Sequence, residues 1–350
     1  MSASDLLAYG AARSVLGLAA ALPLSLSLGF ARAAGRAAFR LDRRHRAIAA
    51  VNLAIALPGL PPEERLRLAR GSYENMGEML VHVSRFPRWL RRERLRRLVR
   101  YEQAEEYLRF KAEGRPVIFL TAHLGGWELM AFSHAVLHQP IHFVYRPLGQ
   151  PRMDEWLHRR RSLSGNVPVP KREALRQLLR ALSRGGDIGI LADQNVQPQD
   201  GVFVDFFGRR ACTSAAPAVL ALRGNAKVIP VFLVPDPEDP GRYVIHLQPA
   251  LPVRRSGDFS ADVLENTARF TGAIEAAVRR WPDRWLWGHR RWRTRPPDDP
   301  EDPYAKKRVM RGGSFLSNEM YDSGYRCARR MKTTPDSSME HIGFRCVKDK

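Results

Sequence analysis

From residue 113 onward, short apolar runs alternate with stretches of helical period. Val117-Ile118-Phe119-Leu120 and Ile141 to Tyr145 read as buried strands, and so do Ile188 to Leu191, Lys227 to Leu233 and Tyr243 to Leu247. Between them Leu175, Leu178, Leu179 and Leu182 recur at i, i+3, i+4 and i+7, which predicts an amphipathic helix over 172–184 ending at Gly185-Gly186. Pro217 to Arg223 and a long stretch near 260–280 read as further helices. This alternation predicts an α/β domain.

The chain before residue 100 has a different pattern. Pro61-Pro62-Glu63-Glu64 is a good helix entry, and Leu66, Ala69, Tyr73, Met76, Met79 and Leu80 follow at helical spacing. Nearer the amino end, Ser14 to Ala31 is uncharged for eighteen residues and interrupted by Pro23. As one helix it would just cross a bilayer core of about 30 Å. Arg13 lies before it, whereas Arg32, Arg36, Arg40, Arg43, Arg44 and Arg46 follow, so the positive-inside rule leaves the rest of the chain in the cytoplasm. We expect a membrane span or interfacial anchor; a core helix or a cleaved signal peptide are the competing readings. Arg85 to Arg100 then holds eight arginines among Trp89, Leu90, Leu95, Leu98 and Val99, a basic amphipathic segment suited to anionic headgroups or, more plainly, to a solvated face.

Charge sharpens this picture. The 350 residues carry 57 Lys+Arg against 36 Asp+Glu, a net charge of +21, which by itself suits a nucleic acid as well as a membrane. The excess divides unevenly in kind. Residues 1–304 contain three lysines, Lys111, Lys171 and Lys227, whereas the last 46 contain five, together with Cys327 and Cys346 out of three cysteines. Between these parts, Pro296-Pro297-Asp298-Asp299-Pro300-Glu301-Asp302-Pro303 reads as an extended linker. Three cysteines cannot staple a chain of this size, so a reducing compartment is expected. Zinc-type Cys/His spacing, a phosphate-cradling loop and an RNA-binding aromatic signature are all missing, so neither a metal nor a specific nucleic acid is expected.

Candidate chemistry sits where strands end. The first strand runs into His123-Leu124-Gly125-Gly126-Trp127-Glu128, after which an apolar helix begins. With His123 in the turn and Glu128 in the first helical turn, the two could meet, Glu128 orienting one ring nitrogen and leaving the other free as a base. The N–H groups of Gly125 and Gly126 could then face a developing oxyanion. The strand ending at Leu191 delivers Asp193 and Gln194 to the same sheet edge, where α/β proteins gather their sites. Arg146 and the cluster Arg159-Arg160-Arg161 add cations suited to phosphate or developing negative charge. The plain alternatives are a loop histidine, a turn-forming aspartate and a solvated arginine face.

Taken together, these motifs resemble the bacterial lipid A biosynthesis acyltransferases, within the wider glycerolipid acyltransferase superfamily. The resemblance spans about residues 5–297. It rests on the apolar amino end, His123 to Glu128, Tyr145-Arg146-Pro147-Leu148, Arg161 with Gly165, Asp193-Gln194, Gly201 to Gly208 and Trp285-Leu286-Trp287-Gly288-His289-Arg290-Arg291-Trp292. It implies a mixed sheet flanked by helices and transfer of a fatty acyl chain from acyl carrier protein to a hydroxyl of a membrane glycolipid, with a lysophospholipid or other glycolipid acceptor left open. His123 would be the base, Glu128 its partner, and Arg161 and Asp193 further catalytic residues; Gly125, Gly126, Arg146, Arg159, Arg160 and Gln194 would contact substrate. No cofactor is implied. The implied setting is the cytoplasmic side of the inner membrane, against anionic lipid. A non-catalytic protein binding lipid or nucleic acid through its arginines is the alternative from another class.

The tail resembles a different family. Arg308 to Phe315, Tyr325 to Arg330, Thr334 to Ser338 and Ile342 to Cys346 are similar to the carboxyl-terminal end of formylglycine-generating, or sulfatase-modifying, factors. Ser317 and Asp322 stand where oxidising members carry reactive cysteines, so that activity is not implied, and Cys327 and Cys346 match a structural pair. The expected division is an anchor with its basic flank at 1–46, an acyltransferase domain at 47–295, a linker at 296–305 and a truncated, non-functional and poorly ordered tail at 306–350, left by a fusion or frameshift.

Overall fold

All five residues of the run Val117–Thr121 are buried, as a strand covered on both faces requires, and in the computed structural model this run lies at the centre of the sheet. The structure describes residues 3–171, 174–299, 301–304, 308–311 and 330–333. The strands are β1 (Val99–Glu102), β2 (Val117–Thr121), β3 (Ile141–Tyr145), β4 (Val167–Pro170), β5 (Asp187–Leu191), β6 (Gly201–Phe206), β7 (Arg209–Ser214), β8 (Lys227–Pro235) and β9 (Tyr243–Leu247). Among the described residues, seven of them form one sheet in the order β1-β9-β8-β2-β5-β3-β4. Its neighbours are parallel except β8 and β9, which pair antiparallel. β6 and β7 form a separate antiparallel hairpin. The apolar runs foreseen as strands are β2, β3, β5, β8 and β9; β1, β4 and the hairpin carry mixed sequences that signal no strand.

The helices are α1 (Ala3–Ala21), α2 (Leu24–Leu41), α3 (Arg43–Ala56), α4 (Pro62–Arg85), α5 (Arg92–Leu98), α6 (Glu105–Ala112), α7 (Trp127–Leu137), α8 (Pro151–Ser162), α9 (Ala174–Ser183), α10 (Ala216–Arg223) and α11 (Phe259–Arg280). In α9, Ala174, Leu178, Ala181 and Leu182 are buried while Leu175 stays exposed. The helix stops at Gly185, whose φ of +73° closes the last turn through Gly186 N–H on the Ala181 carbonyl.

The uncharged run Ser14–Ala31 is not a single helix. Pro23 has no N–H to give and stands at φ −50°, ψ 143°, so the run is divided between α1 and α2. Buried Arg85 closes the break, donating to the carbonyls of Ala19 (2.9 Å) and Leu22 and to Ser27 Oγ (2.9 Å). A cation satisfying the last carbonyls of α1 is the favoured arrangement at a helix carboxyl end. Among the described residues no helix is long and apolar enough to cross a membrane. Instead α2 lies on α4, and the two backbones come so close that a Cβ on Gly35 would stand 2.6 Å from the Tyr73 carbonyl.

Of the two readings of the basic segment after Arg85, the structure favours the solvated face. Trp89, Leu95, Leu98 and Val99 are buried in the core, Leu90 stays exposed, and the rest of the outer face is chiefly arginine. The acidic stretch expected as a linker is held at its start: Asp299 pairs with Arg209 (3.2 Å) and with Arg295, and Asp298 with Arg210.

The chain divides into two units, Met1–Glu301 and Asp302–Lys350. In the second, β10 (Arg308–Arg311) pairs antiparallel with β11 (Arg330–Thr333). Ser317, Asp322, Cys327 and Cys346 lie outside the described residues, and so does the expectation of poor order that covers them.

Two histidines in the core set an expected pH dependence. His82 on α4 is 1% exposed, and burial pushes it down to about 4; His134 on α7, also buried, is lowered for the same reason. Both stay neutral in the fold yet take up a proton near 6.5 when unfolded. Their contribution is therefore present above about pH 6.5 and is lost as the pH falls below it; for His82 the loss runs down to about 4, at about 1 kcal/mol per pH unit, and His134 adds to it in the same direction. The midpoint of chemical unfolding should be clearly lower at pH 5 than at pH 7; equal midpoints would contradict the assignment.

Candidate active site

β2 and β5 are parallel neighbours in register, with Thr121 opposite Leu191, so the residues two positions past each strand arrive side by side. Those residues are His123 and Asp193. Asp193 Oδ1 lies 2.8 Å from His123 Nδ1, and Oδ2 accepts the His123 backbone N–H at 2.9 Å and the Trp285 indole N–H at 2.7 Å. Asp193 is 1% exposed. Burial alone would raise its carboxyl, but the His123 charge and hydrogen bond, aided by His289 and Trp285, hold it well below the usual carboxylate range. A charged carboxylate at Nδ1 makes that nitrogen the donor and leaves Nε2 with its lone pair. Nε2 faces the side-chain amide of Gln194 at 3.4 Å, and the ring meets the Trp127 ring edge to face at 5.2 Å.

Glu128 was expected to hold the His123 ring, and the structure assigns that place to Asp193. Glu128 sits in the first turn of α7, buried, and its carboxylate receives Arg161 from α8: Arg161 Nε donates at 3.0 and 3.2 Å, and Nη2 closes the bidentate pair. The Gly125-Gly126 turn delivers Glu128 to α8, where a guanidinium matches a buried carboxylate fork to fork. Burial would depress Arg161, but the Glu128 charge raises it.

The two glycines also serve another purpose than the one expected. Gly125 N–H donates to the Arg284 carbonyl (3.0 Å) and Gly126 N–H to the Leu233 carbonyl (2.9 Å), so neither is free for an oxyanion. Gly125 has φ +60°, and a Cβ there would lie 1.9 Å from the Leu233 oxygen. Only glycine lets the loop turn this close to β8.

Of the other arginines, Arg146 is exposed at the rim of the cavity described below. Arg159 pairs with Glu155 on the outer face of α8. Arg160 lies over Trp156 at 5.3 Å and donates to the Ser84 carbonyl at 3.3 Å. Neither Arg159 nor Arg160 reaches the cavity, because on a helix they point away from the face that presents Arg161.

Two site residues were missed by sequence reasoning. Trp285, fully buried, holds Asp193, and Leu286 N–H donates to the His123 carbonyl at 2.9 Å. Asn75 on α4 ties the same segment to the turn, donating to the carbonyls of Gly125 (3.0 Å) and Arg284 (3.2 Å). The tryptophan-rich stretch was visible as a motif, but nothing in it told which indole meets which carboxylate. Asn75 carried no signal beyond its place in a helical pattern.

His123 opens onto a cavity of about 240 Å³ between the sheet and α7, lined mainly by apolar side chains such as Phe119, Met130, Ile141, Phe143 and Val231. Glu128, Arg161 and Arg146 stand with His123 among its polar lining. Residues 6–294 match the bacterial lipid A biosynthesis acyltransferase family. The chain belongs to that family.

This acyltransferase is 26% identical to the lipid A biosynthesis lauroyltransferase of Escherichia coli (strain K12) over 288 residues, 82% of this chain and 91% of that one. It is also 26% identical to the lipid A biosynthesis palmitoleoyltransferase of the same organism over 255 residues, 73% and 80% of the two chains. Residues 277–350 match the sulfatase-modifying factor enzyme 1-like domain. Over 67 residues the acyltransferase is 43% identical to the formylglycine-generating enzyme of Bos taurus, of which it covers 17%. This second match starts within α11, earlier than the tail motifs alone suggested, and overlaps the end of the first at 277–294.

Proposed function

We propose that this lipid A acyltransferase takes a fatty acyl chain from acyl carrier protein and places it on a hydroxyl of a lipid A precursor, with His123 as general base and Asp193 as its orienting acid. The observation that carries this reading is the His123–Asp193 pair at the opening of an apolar cavity. His123 Nε2 takes the proton of the acceptor hydroxyl as its oxygen attacks the thioester carbonyl carbon. The carbon–sulfur bond then breaks, and the imidazolium returns the proton to the leaving thiolate. Asp193 stabilises the imidazolium between these steps. Gln194, beside Nε2, is placed to donate its amide to substrate oxygen. Arg146 offers an exposed cation to an anionic headgroup. The Glu128–Arg161 pair, already neutral, shapes the polar side of the opening.

The same reading places the enzyme on the cytoplasmic face of the inner membrane. Val15 and Leu18 share one face of α1 and Leu26 and Phe30 one face of α2, and all four are exposed, 67% for Val15. Such a face lies at the headgroup boundary without crossing the bilayer, and an acidic carrier protein suits the positive charge of the chain. One experiment tests both parts. The full chain is expressed in a host lacking its own late lipid A acyltransferases, membranes are separated, and lipids are analysed by mass spectrometry. One additional acyl group on lipid A, lost or strongly reduced together with membrane recovery in Leu18→Asp, is the expected result. Unchanged lipid A with abundant folded protein would refute the acceptor; acylated lysophospholipid would replace it.

A further inference from the structure

The cavity beside His123 is apolar along its walls but not at its far end. α7 begins at the His123 edge of the sheet and runs back across it, so His134, seven residues beyond Trp127, lies about 10 Å deeper at 1.5 Å per residue. His134 reaches Asp187, the first residue of β5, and so marks the sheet edge opposite His123. Tyr101 of β1 closes the cavity beside it.

We infer that Tyr101 and His134 form the closed end of the acyl cavity and set the longest chain this enzyme transfers. The inference rests on the proposal that the cavity holds the acyl chain.

The end wall is built to stay in place. The Tyr101 hydroxyl donates to His134 Nδ1 (3.3 Å), His134 Nε2 donates to the Tyr107 hydroxyl (3.2 Å), and Tyr107 donates to Asp187 Oδ2 (2.8 Å). Lys111 Nζ completes the row on Asp187 Oδ1 at 2.8 Å, and Asp187 is fully buried. The His134 ring also stands edge to face on Phe119, centroids 4.6 Å apart. Each polar group in this row has its partner, so a methyl group pressing on the wall would break a buried hydrogen bond with nothing to replace it. An apolar wall could yield by changing rotamers; this one resists. Nearer the opening, Gly189 of β5 presents no side chain where its neighbours present Phe119 and Phe143, and a Cβ there would stand 3.1 Å from Ile141 Cδ1. The missing side chain keeps the passage open between His123 and the wall.

Each methylene entering the cavity should favour binding by up to about fourfold. The first methylene that meets the wall should reverse this, by about tenfold or more, as overpacking of a rigid core does. The test uses the full-length protein in membranes, with acyl carrier protein loaded with saturated chains differing by two carbons and a lipid A precursor as acceptor. For the unmodified enzyme, kcat/KM should climb with length and then drop sharply between two neighbouring chains. Tyr101→Ala should move the drop to longer chains by at least one step. Gly189→Val, which narrows the passage from the opposite side, should move it to shorter ones, so the inference remains testable if the first variant does not fold. Transfer by the unmodified enzyme and by Gly189→Val with an identical cut-off overturns the inference while leaving the acyl-transfer reading intact. Failure of the unmodified enzyme to transfer any chain overturns both.

Discussion

Replacing His123 by alanine is expected to lower acyl transfer by about 10²–10⁴-fold, the usual contribution of a positioned general base. In the proposed reaction the acceptor is an alcohol, which does not ionise near neutral pH, so attack requires that its proton leave as the carbon–oxygen bond forms. His123 Nε2 is the lone pair at the cavity opening with its ring already fixed, by Asp193 on the opposite nitrogen and by Leu286 N–H on the backbone carbonyl. The ring is partly exposed but meets the Trp127 ring, and its loss leaves Asp193 Oδ1 without its partner. The variant should therefore lose some stability while keeping its membrane recovery, and its kcat, measured on folded protein, should collapse. Measured turnover within a factor of a few of the unmodified enzyme would remove His123 from the mechanism.

Asp193→Asn is expected to cost nearly as much in kcat, about 10²–10⁴-fold, and for a different reason. An amide can turn its N–H₂ toward His123 Nδ1, which forces the proton onto Nε2 and leaves no base facing the substrate. In that rotamer the amide oxygen takes the Oδ2 place and still accepts the Trp285 indole and the His123 backbone N–H, so the fold should be kept. Glu128→Gln is the informative comparison. It leaves every hydrogen bond of the His123 ring in place but strips the charge from a buried pair and leaves Arg161 uncompensated, so stability should fall by a few kcal/mol. Turnover per folded molecule should fall far less than in Asp193→Asn. The reverse ranking in kcat, measured on folded protein at matched pH, would return the orienting role to Glu128.

This exchange of partners shows where sequence reading stopped. His123 and Glu128 are close in the chain, and local spacing made their pairing the natural expectation. Asp193 is seventy residues away, yet it reaches His123 because β2 and β5 are parallel and in register. Strand pairing is a non-local property, and no spacing within one segment encodes it. The same limit hid Trp285 and Asn75. For Gly125 and Gly126 the pattern was right about a turn and wrong about its N–H groups, because the carbonyls that absorb them come from β8 and from residue 284.

The amino end teaches a related lesson. Eighteen uncharged residues are long enough to span a bilayer, and hydropathy alone cannot weigh Pro23 against them. A buried Arg85, sixty-six positions beyond Ala19, donates to the carbonyls that the proline break releases.

What the sequence determined by itself was the α/β class, the five apolar strands, the family motifs and their order, and the seam before a tail of foreign composition. Each of these follows from local periodicity or from residues close together in the chain. Only the tertiary structure decided which acid holds His123, which arginine Glu128 neutralises, and which segments line the apolar cavity beside them. Those are contacts between segments far apart in sequence, and they exist only once parallel strands align their ends and a helix is laid across them.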